Sequence, residues 1–268
     1  MTSNKFNHRS QDLRSDLRDG ILVLTIDRQD SYNSWTSALR DELARQLLLA
    51  NDAATVQAVV LTGAGDKAFC SGQDLNELEE FASGRSIEPW FERLIHCYDA
   101  VRGLGKPLVA AVNGVAAGSG FQVTQFCDYV VAHPAVRMGQ TEVNAGLPSV
   151  FGTWLLWERV GRRAIELALQ GRLMDAEEAK QLGFVQQIVT KEQVLDEALA
   201  VARRLSEQPR EAYRMSKVAN RAFDQERYAS AMNTALGLYR QAFDSGAPQA
   251  EIGRFFERRA QRKAVAAP

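Results

Sequence analysis

Short apolar runs alternate with segments of helical periodicity along the first 190 residues of the chain. The runs contain β-branched side chains, are bounded by polar residues or glycine, and predict strands. They lie at residues 20–26, 57–63, 107–112 and 128–133, with a shorter one at 184–189. Residues 36–51 carry leucines at helical spacing behind a start rich in serine and threonine, and further helical segments extend to about Leu104. This alternation predicts an α/β protein with a parallel sheet buried on both faces.

The pattern changes near residue 190. From Glu192 onward the sequence predicts helices, with breaks at residues 208–209 and 245–248, where proline and glycine interrupt the periodicity. We therefore divide the chain into a core domain over residues 1–190 and a helical C-terminal subdomain over residues 191–268. The sequence contains no internal repeat and no low-complexity stretch.

Composition and charge exclude several classes of function. The 32 basic and 33 acidic residues give a formal net charge of −1, which provides no general attraction to nucleic acid or to an anionic membrane. The first 20 residues are polar and predict a loosely ordered start, and no apolar run reaches the ~20 residues that a membrane span requires. Cys70, Cys97 and Cys127 lack the spacing of metal ligands, so we expect no metal site and a reducing, cytoplasmic environment.

Two glycine-containing loops are the candidate site. Residues 68–74 (AFCSGQD) and residues 114–122 (GVAAGSGFQ) each follow a predicted strand and pass through glycine into a predicted helix. Ligands of α/β sheets bind at such carboxyl ends of strands, and amide groups at a helix start lack intrahelical acceptors. The two loops together therefore predict a site that presents backbone N–H donors to a ligand.

These loops belong to a longer series of motifs. Residues 127–132 (CDYVVA), a glutamate within residues 139–149 (GQTEVNAGLPS), and the segments 161–189, 215–223 and 255–259 follow in order. Over roughly residues 20–260 the chain resembles the crotonase superfamily, also called the enoyl-CoA hydratase/isomerase family. The resemblance implies a ClpP/crotonase-like spiral of ββα units with a C-terminal helical trimerisation region. It also implies a homotrimer or a dimer of trimers, with acyl-CoA thioesters as substrates. Coenzyme A is then part of the substrate, and no cofactor is bound permanently.

The resemblance also assigns roles to residues of the two loops. The backbone N–H groups of Gln73 and Ser119 correspond to the oxyanion hole that grips the thioester oxygen and stabilises an enolate. Around them, Ser71, Gly72, Gly118 and Gly120 fall among the residues expected to contact the substrate. Fixed donors of this kind are effective because the enolate oxygen carries developing negative charge.

Only one of the two glutamates of a hydratase is present. The second of them corresponds to Glu142, and the first falls on Gln122, whose amide cannot exchange a proton at neutral pH. One carboxylate suffices for double-bond isomerisation, so we favour an isomerase or a related lyase step over simple hydration. The alternatives are a hydratase in which Gln122 orients water, C–C bond chemistry like that of carboxymethylproline synthases, and a protein that has lost catalytic activity and only binds CoA. A substitute carboxylate from residues 77–80 (ELEE) is a weaker alternative.

The CoA phosphates require cationic partners. The candidates are Arg28, Lys67, Arg258, Arg259 and Lys263. Asp74 is grouped with the substrate-binding loop, although an aspartate after Gly72-Gln73 and before a predicted helix is typical of a helix cap.

For the acyl channel the candidates are Trp90, Phe91, Trp154 and Trp157, although tryptophans three residues apart on a helix are more often core. Residues 150–154 (VFGTW) depart from the glycine-rich run that the resemblance implies after Pro148, and so predict a bulkier wall at the acyl end.

Overall fold

The computed structural model describes residues 6–79 and 86–265 of the chain. Residues 1–5, part of the predicted loose start, and Glu80 lie outside the described residues. The strands are β1 His8–Arg9, β2 Leu13–Arg18, β3 Ile21–Ile26, β4 Ala58–Gly63, β5 Ala68–Cys70, β6 Leu108–Val112, β7 Val115–Ala117, β8 Tyr129–Ala132, β9 Arg137–Gly139, β10 Met174–Asp175 and β11 Gln187–Ile188. The α-helices are α1 Ser37–Asp52, α2 Leu75–Glu79, α3 Glu88–Gly103, α4 Ser119–Phe126, α5 Val150–Val160, α6 Arg163–Gln170, α7 Ala176–Gln181, α8 Val194–Ser206, α9 Arg210–Asp244 and α10 Ala247–Val265.

The larger sheet has seven strands in the order β1-β2-β3-β4-β6-β8-β11. Its strands from β3 to β11 are parallel, as the alternation of strands and helices predicts. β4 and β6 are buried at every position, because helices cover both faces of the sheet. α8 packs on one face through Val194, Ala198 and Val201, which share a cluster with Val23 and Val60 of the sheet.

A smaller sheet has the order β10-β9-β7-β5. Successive strand pairs, β4 with β5, β6 with β7 and β8 with β9, each place one strand in each sheet before the chain returns through helices. β5, β7 and β9 are parallel, so their carboxyl ends meet at one edge. This succession of ββα units is the predicted spiral fold, and the α/β class is confirmed.

Two local predictions were wrong. The start of the chain is ordered from Phe6, which is buried, and β2 pairs antiparallel with β3 along its whole length. The sequence does not predict β2, because Leu13 and Leu17 are its only apolar residues and two positions are too few to show the alternation of a strand. Residues 115–117, within the glycine-rich loop, form β7 rather than an irregular connection. Its three residues are too few to show a period in the sequence.

The C-terminal helices are α8, α9 and α10, and their breaks fall where proline and glycine predict them. α9 exposes several large apolar side chains, among them Met215, Val218 and Phe223. The division at residue 190 and the assembly of three or six chains stay predictions. None of the helices within the described part of the chain is long and apolar enough to cross a bilayer.

Candidate active site

A cavity of about 1130 Å³ lies at the edge where β5, β7 and β9 end. The segment that follows each strand lines the cavity. Gly72 and Gln73 follow β5, Gly118 and Ser119 follow β7, and Glu142 follows β9. Parallel strands of one sheet bring their carboxyl ends together, so segments distant in sequence meet here. The cavity therefore unites the two predicted loops with the predicted glutamate.

The two glycine loops are in van der Waals contact at Gly72. A Cβ at this position would lie 3.1 Å from the carbonyl oxygen of Ala117, and its φ of +103° favours glycine. At Gly120 a Cβ would lie 2.2 Å from the carbonyl oxygen of Cys70, so this glycine lets α4 approach β5. The loops are close because glycine removes the side chains that would separate them.

The Gln73 and Ser119 amides are available to a ligand. The Trp35 N–H donates to the Gly72 carbonyl and the Asp74 N–H to the Trp35 carbonyl, both at 2.8 Å, so the Gln73 N–H points away from that pairing. Ser119 is the first residue of α4, where an N–H has no intrahelical acceptor. Within residues 6–79 and 86–265, neither amide donates to another group. The geometry supplies two N–H donors from neighbouring loops.

Glu142 begins a short 3₁₀ helix over Glu142–Ala145. Its carboxyl accepts from Gln122 Nε2 at 2.7 Å and from Ser149 Oγ at 3.4 Å. Burial raises the pKa of the Glu142 carboxyl to about 7, and the hydrogen bonds offset only part of that effect. A carboxyl with this pKa can both accept and return a proton near neutral pH.

Both ends of the Gln122 amide are occupied. Its Oε1 accepts from the Tyr98 hydroxyl at 2.5 Å, and its Nε2 donates to Glu142 Oε1 and, at 3.0 Å, to Gln140 Oε1. Gln122 and Gln140 are buried, and burial raises the pKa of Tyr98 well above its ordinary value. Gln122 is therefore a fixed partner of Glu142.

A buried arginine supports Gln73. The Arg40 guanidinium donates to Gln73 Oε1 and to Ser37 Oγ, lies 3.6 Å from Glu77 Oε2, and faces the Trp90 ring at 5.0 Å. Burial lowers the pKa of Arg40. Glu77 also accepts from the Ser37 N–H at 2.7 Å, so it caps α1 and does not face the cavity. The weaker alternative of a substitute acid therefore has no support at Glu77, and the side chains of Glu79 and Glu80 lie outside the described residues.

Arg40, Tyr98 and Gln140 are not among the residues that the sequence predicts for the site. Arg40 interrupts the buried stripe of α1, which is a signal that a charged residue has an internal partner. Gln140 lies within the quoted segment 139–149, but no pattern relates it to Gln122. Tyr98 shares the buried face of α3 with core residues, so its polar role shows only in the fold.

Most predicted substrate contacts line the cavity. They are Lys67, Ser71, Gly72, Asp74, Gly118 and Arg258. Arg28 and Gly120 do not line the cavity.

The Arg28 guanidinium instead donates to Asp74 Oδ2 at 2.8 Å and to the Ser34 carbonyl at 2.7 Å. Asp74 accepts from the Asn76 N–H at 2.9 Å and so caps α2. The side chains of Arg259 and Lys263 lie outside the described residues.

The predicted aromatic channel is partly wrong. Trp90 lines the cavity together with Tyr239, and Phe91 packs behind them with its ring centroid 5.8 Å from that of Tyr239. Phe151 and Trp154 do not form an acyl wall. Phe151 stacks on Tyr98 at 5.2 Å, on the side away from the cavity, and Trp154 packs on Phe151. Trp157 is exposed.

Comparison with known proteins decides the family. Residues 16–263 match the sequence profile described as enoyl-CoA hydratase/isomerase. The chain belongs to that family. A 1,2-epoxyphenylacetyl-CoA isomerase of Escherichia coli is 36 % identical over 203 residues, which cover 73 % of this chain and 76 % of that protein. A probable enoyl-CoA hydratase of Mycobacterium bovis is 32 % identical over 241 residues, or 89 % of this chain and 92 % of that protein.

Solved structures agree on the fold. The crystal structure of an enoyl-CoA hydratase/isomerase from Mycobacterium paratuberculosis superimposes with a TM-score of 0.84 at 24 % identity. The match covers 91 % of this chain and 98 % of that one. The enoyl-CoA hydratase/isomerase family includes both hydratases and isomerases, so membership leaves the reaction to be argued from the residues of the cavity.

Proposed function

We propose that this member of the family isomerises an enoyl-CoA thioester with Glu142 as its proton shuttle. The Glu142 carboxylate removes a proton from C2 of a 3-enoyl thioester, and the electrons pass into a dienolate. The same carboxyl then returns the proton at C4, which gives the 2-enoyl thioester. No water is consumed and no second acid is required.

One observation carries this proposal: the Gln122 amide is bound at both ends. A hydratase needs a second group to activate water, and an amide has no proton to exchange. Gln122 would have to give up Gln140 or Glu142 in order to orient a water molecule through its N–H groups. The hydratase alternative is therefore disfavoured, and isomerisation uses the groups that the cavity offers.

The negative charge of the dienolate falls on the thioester oxygen. We assign the Gln73 and Ser119 N–H groups as its hydrogen-bond donors, because the two loops that carry them meet at Gly72 and both groups lack other acceptors within residues 6–79 and 86–265. A fixed donor of this kind stabilises a developing oxyanion by roughly 3 to 4 kcal/mol. The pair would lower the barrier to removal of the C2 proton.

The cavity also suits the rest of an acyl-CoA. Trp90, Tyr239 and Phe256 line one part of it with aromatic surface, which suits a bulky or cyclic acyl group. Lys67 and Arg258 line it with exposed cationic side chains, which suit the CoA phosphates. A relative named for a 1,2-epoxyphenylacetyl thioester supports a ring-bearing acyl group as one of the substrates to be tried.

Paired assays with 3-enoyl-CoA and 2-enoyl-CoA substrates test the reaction. Isomerisation of the 3-enoyl thioester that Glu142→Gln abolishes, without comparable formation of 3-hydroxyacyl product, is the expected result. Rapid hydration that survives Glu142→Gln would refute the assigned roles. Tight binding of acyl-CoA without turnover would indicate the decayed, CoA-binding alternative, and a new C–C bond with a carbon electrophile would indicate the synthase-like one.

A further inference from the structure

Three tyrosines of the described chain have buried side chains, and their hydroxyl groups differ in how they are partnered. The Tyr98 hydroxyl donates to Gln122 Oε1 at 2.5 Å, and the Tyr228 hydroxyl donates to Asp99 Oδ1 at 2.8 Å. The Tyr239 hydroxyl has no hydrogen-bond partner within the part of the chain that the structure describes. A buried tyrosine usually gives its hydroxyl a partner, so Tyr239 is the exception.

The Tyr239 hydroxyl opens into the active-site cavity. The residue lines the cavity and is 8 % exposed, and its hydroxyl is not one of the fully enclosed side-chain atoms that lack a partner in the described chain. The exposed part of the side chain therefore includes the hydroxyl. Water can hydrogen-bond to it there in the substrate-free protein, whereas a ligand that fills the cavity must replace that water.

The ring that carries this hydroxyl packs in an apolar wall. It lies edge-on to the rings of Trp90 and Phe91, with centroid distances of 6.5 Å and 5.8 Å. Leu94, one turn after Trp90 on α3, and Ile252 of α10 are buried and also line the cavity. An acyl group made only of hydrocarbon would therefore contact the wall well but would leave the hydroxyl without a hydrogen bond.

The hydroxyl is a neutral donor near the reacting carbons. Burial and, to a smaller extent, the charge of Glu142 raise the pKa of Tyr239 above its ordinary value, so the phenol keeps its proton at neutral pH. Glu142 is the carboxyl that we assign to proton transfer on the acyl group. Its influence on Tyr239 associates the hydroxyl with the acyl part of the substrate rather than with the CoA phosphates.

We propose that Tyr239 selects acyl groups that carry an oxygen substituent, which accepts a hydrogen bond from the Tyr239 hydroxyl while the Trp90 and Phe256 rings contact the surrounding hydrocarbon. This inference rests on the proposed function, since it takes the substrate to be an acyl-CoA thioester. It narrows the substrate class from a bulky or cyclic acyl group to an oxygenated one. The selection arises because an apolar acyl group would leave a buried donor unpaired, and such losses discriminate strongly between ligands.

Two other roles of the hydroxyl predict different results. It could donate to Glu142 in the complex, or to the thioester oxygen beside the Gln73 and Ser119 amides. In either role it would serve every substrate alike, and Tyr239→Phe would lower kcat by a similar factor for every acyl group. Selection instead predicts that the loss is confined to oxygenated acyl groups.

Binding of thioesters that cannot react tests the proposal without turnover. The probes are phenylbutanoyl-CoA, with its ring at the end of the chain, and derivatives with one hydroxyl on the carbon that bears the ring or at the ortho, meta or para position. Calorimetry gives the Kd of each probe. We expect at least one hydroxylated probe to bind about 10- to 100-fold more tightly than the parent, and Tyr239→Phe to remove that difference.

Two results would overturn the proposal. One is that no hydroxylated probe binds the unaltered protein more tightly than the parent, and the other is that the preference survives Tyr239→Phe. The substitution should leave the thermal unfolding temperature unchanged, because no described residue loses a hydrogen bond.

Tyr228→Phe is the matched control. It also removes one hydroxyl from a buried tyrosine of α9, but Tyr228 does not line the cavity and its hydroxyl donates to Asp99. This variant should lose stability and keep the preference for the hydroxylated probe. Loss of the preference in both variants would overturn the assignment to Tyr239.

Kinetics separate this inference from the reaction. In a working isomerase, 3-enoyl-CoA substrates with and without the hydroxyl should differ in kcat/KM by the same factor as the probes differ in Kd, and Tyr239→Phe should remove the difference. Selective binding of the hydroxylated probe by a protein that isomerises no substrate would refute the proposed function and support the selection. An active isomerase that is indifferent to the hydroxyl would refute the selection alone.

Discussion

Two parts of the cavity surface differ in how their polar groups are partnered. The acid–base wall, formed by Gln122, Gln140 and Glu142, is hydrogen-bonded internally and anchored by Tyr98. The amide wall, formed by Gln73 and Ser119, keeps two backbone donors free within the described chain. It also leaves Gln73 Nε2 and Ser119 Oγ without partners there, although both atoms are buried.

This difference separates two tasks. The acid–base wall fixes the pKa and position of one carboxyl before substrate arrives, since its partners belong to the protein. The amide wall has donors for which the described chain supplies no acceptor. An unpaired buried donor reduces the stability of a protein by about 1–3 kcal/mol. A substrate oxygen would satisfy it, so changes there should act on the charged intermediate, whereas changes in the acid–base wall should act on proton transfer.

The largest expected effect is that of Glu142→Gln. The amide keeps the shape of the carboxyl but cannot carry the proton, so kcat should fall by a factor of about 10³. Acyl-CoA affinity, measured by calorimetry, should change little, because the amide wall is intact. A variant that retained a tenth of the activity would contradict the role of Glu142.

Gly120→Ala should come next. Its Cβ would meet the Cys70 carbonyl at 2.2 Å and displace the start of α4 together with the Ser119 amide. Loss of one oxyanion donor costs about 10² to 10³ in kcat. Gly237→Ala is the control, because its Cβ meets no atom within 4 Å. Equal activity of the two variants would place the oxyanion hole elsewhere.

The pH dependence of the unaltered enzyme tests the acid–base wall alone. Glu142 must start as the carboxylate, and its pKa is about 7. Below that pH, kcat/KM should fall tenfold per unit, and above it a plateau is expected. A profile that stays flat down to pH 5 would show that the buried carboxyl does not govern the reaction.

Ser119→Ala should have the smallest effect. It removes the unpaired hydroxyl but leaves the backbone N–H in place, so kcat/KM should drop only a few-fold, about 1 kcal/mol in transition-state stabilisation. Steady-state kinetics on one substrate suffices. A loss as large as that of Gly120→Ala would mean that the hydroxyl, not the amide, binds the thioester oxygen.

The sequence predicted more of the amide wall than of the acid–base wall. Gly72, Gln73 and Ser119 lie in contiguous loops that follow strands, so local sequence locates the two loops, and the resemblance to the family then points to the Gln73 and Ser119 amides. The partners of Glu142 come from α3, α4 and the loop after β9, and no pattern along the chain joins Tyr98 to Gln122 or Gln140. β2 and the short strands of the smaller sheet were missed because pairing with neighbours, rather than their own periodicity, forms them.

A label transfer experiment tests the single-carboxyl shuttle most directly. The enzyme is given a 3-enoyl-CoA deuterated at C2, and the position of the label in the 2-enoyl product is read by mass spectrometry and NMR. Because one buried carboxyl both removes and returns the proton, a substantial part of the deuterium should appear at C4. Conversion to a 3-hydroxyacyl product, or isomerisation with no label at C4 even in the first turnovers, would contradict the shuttle by Glu142.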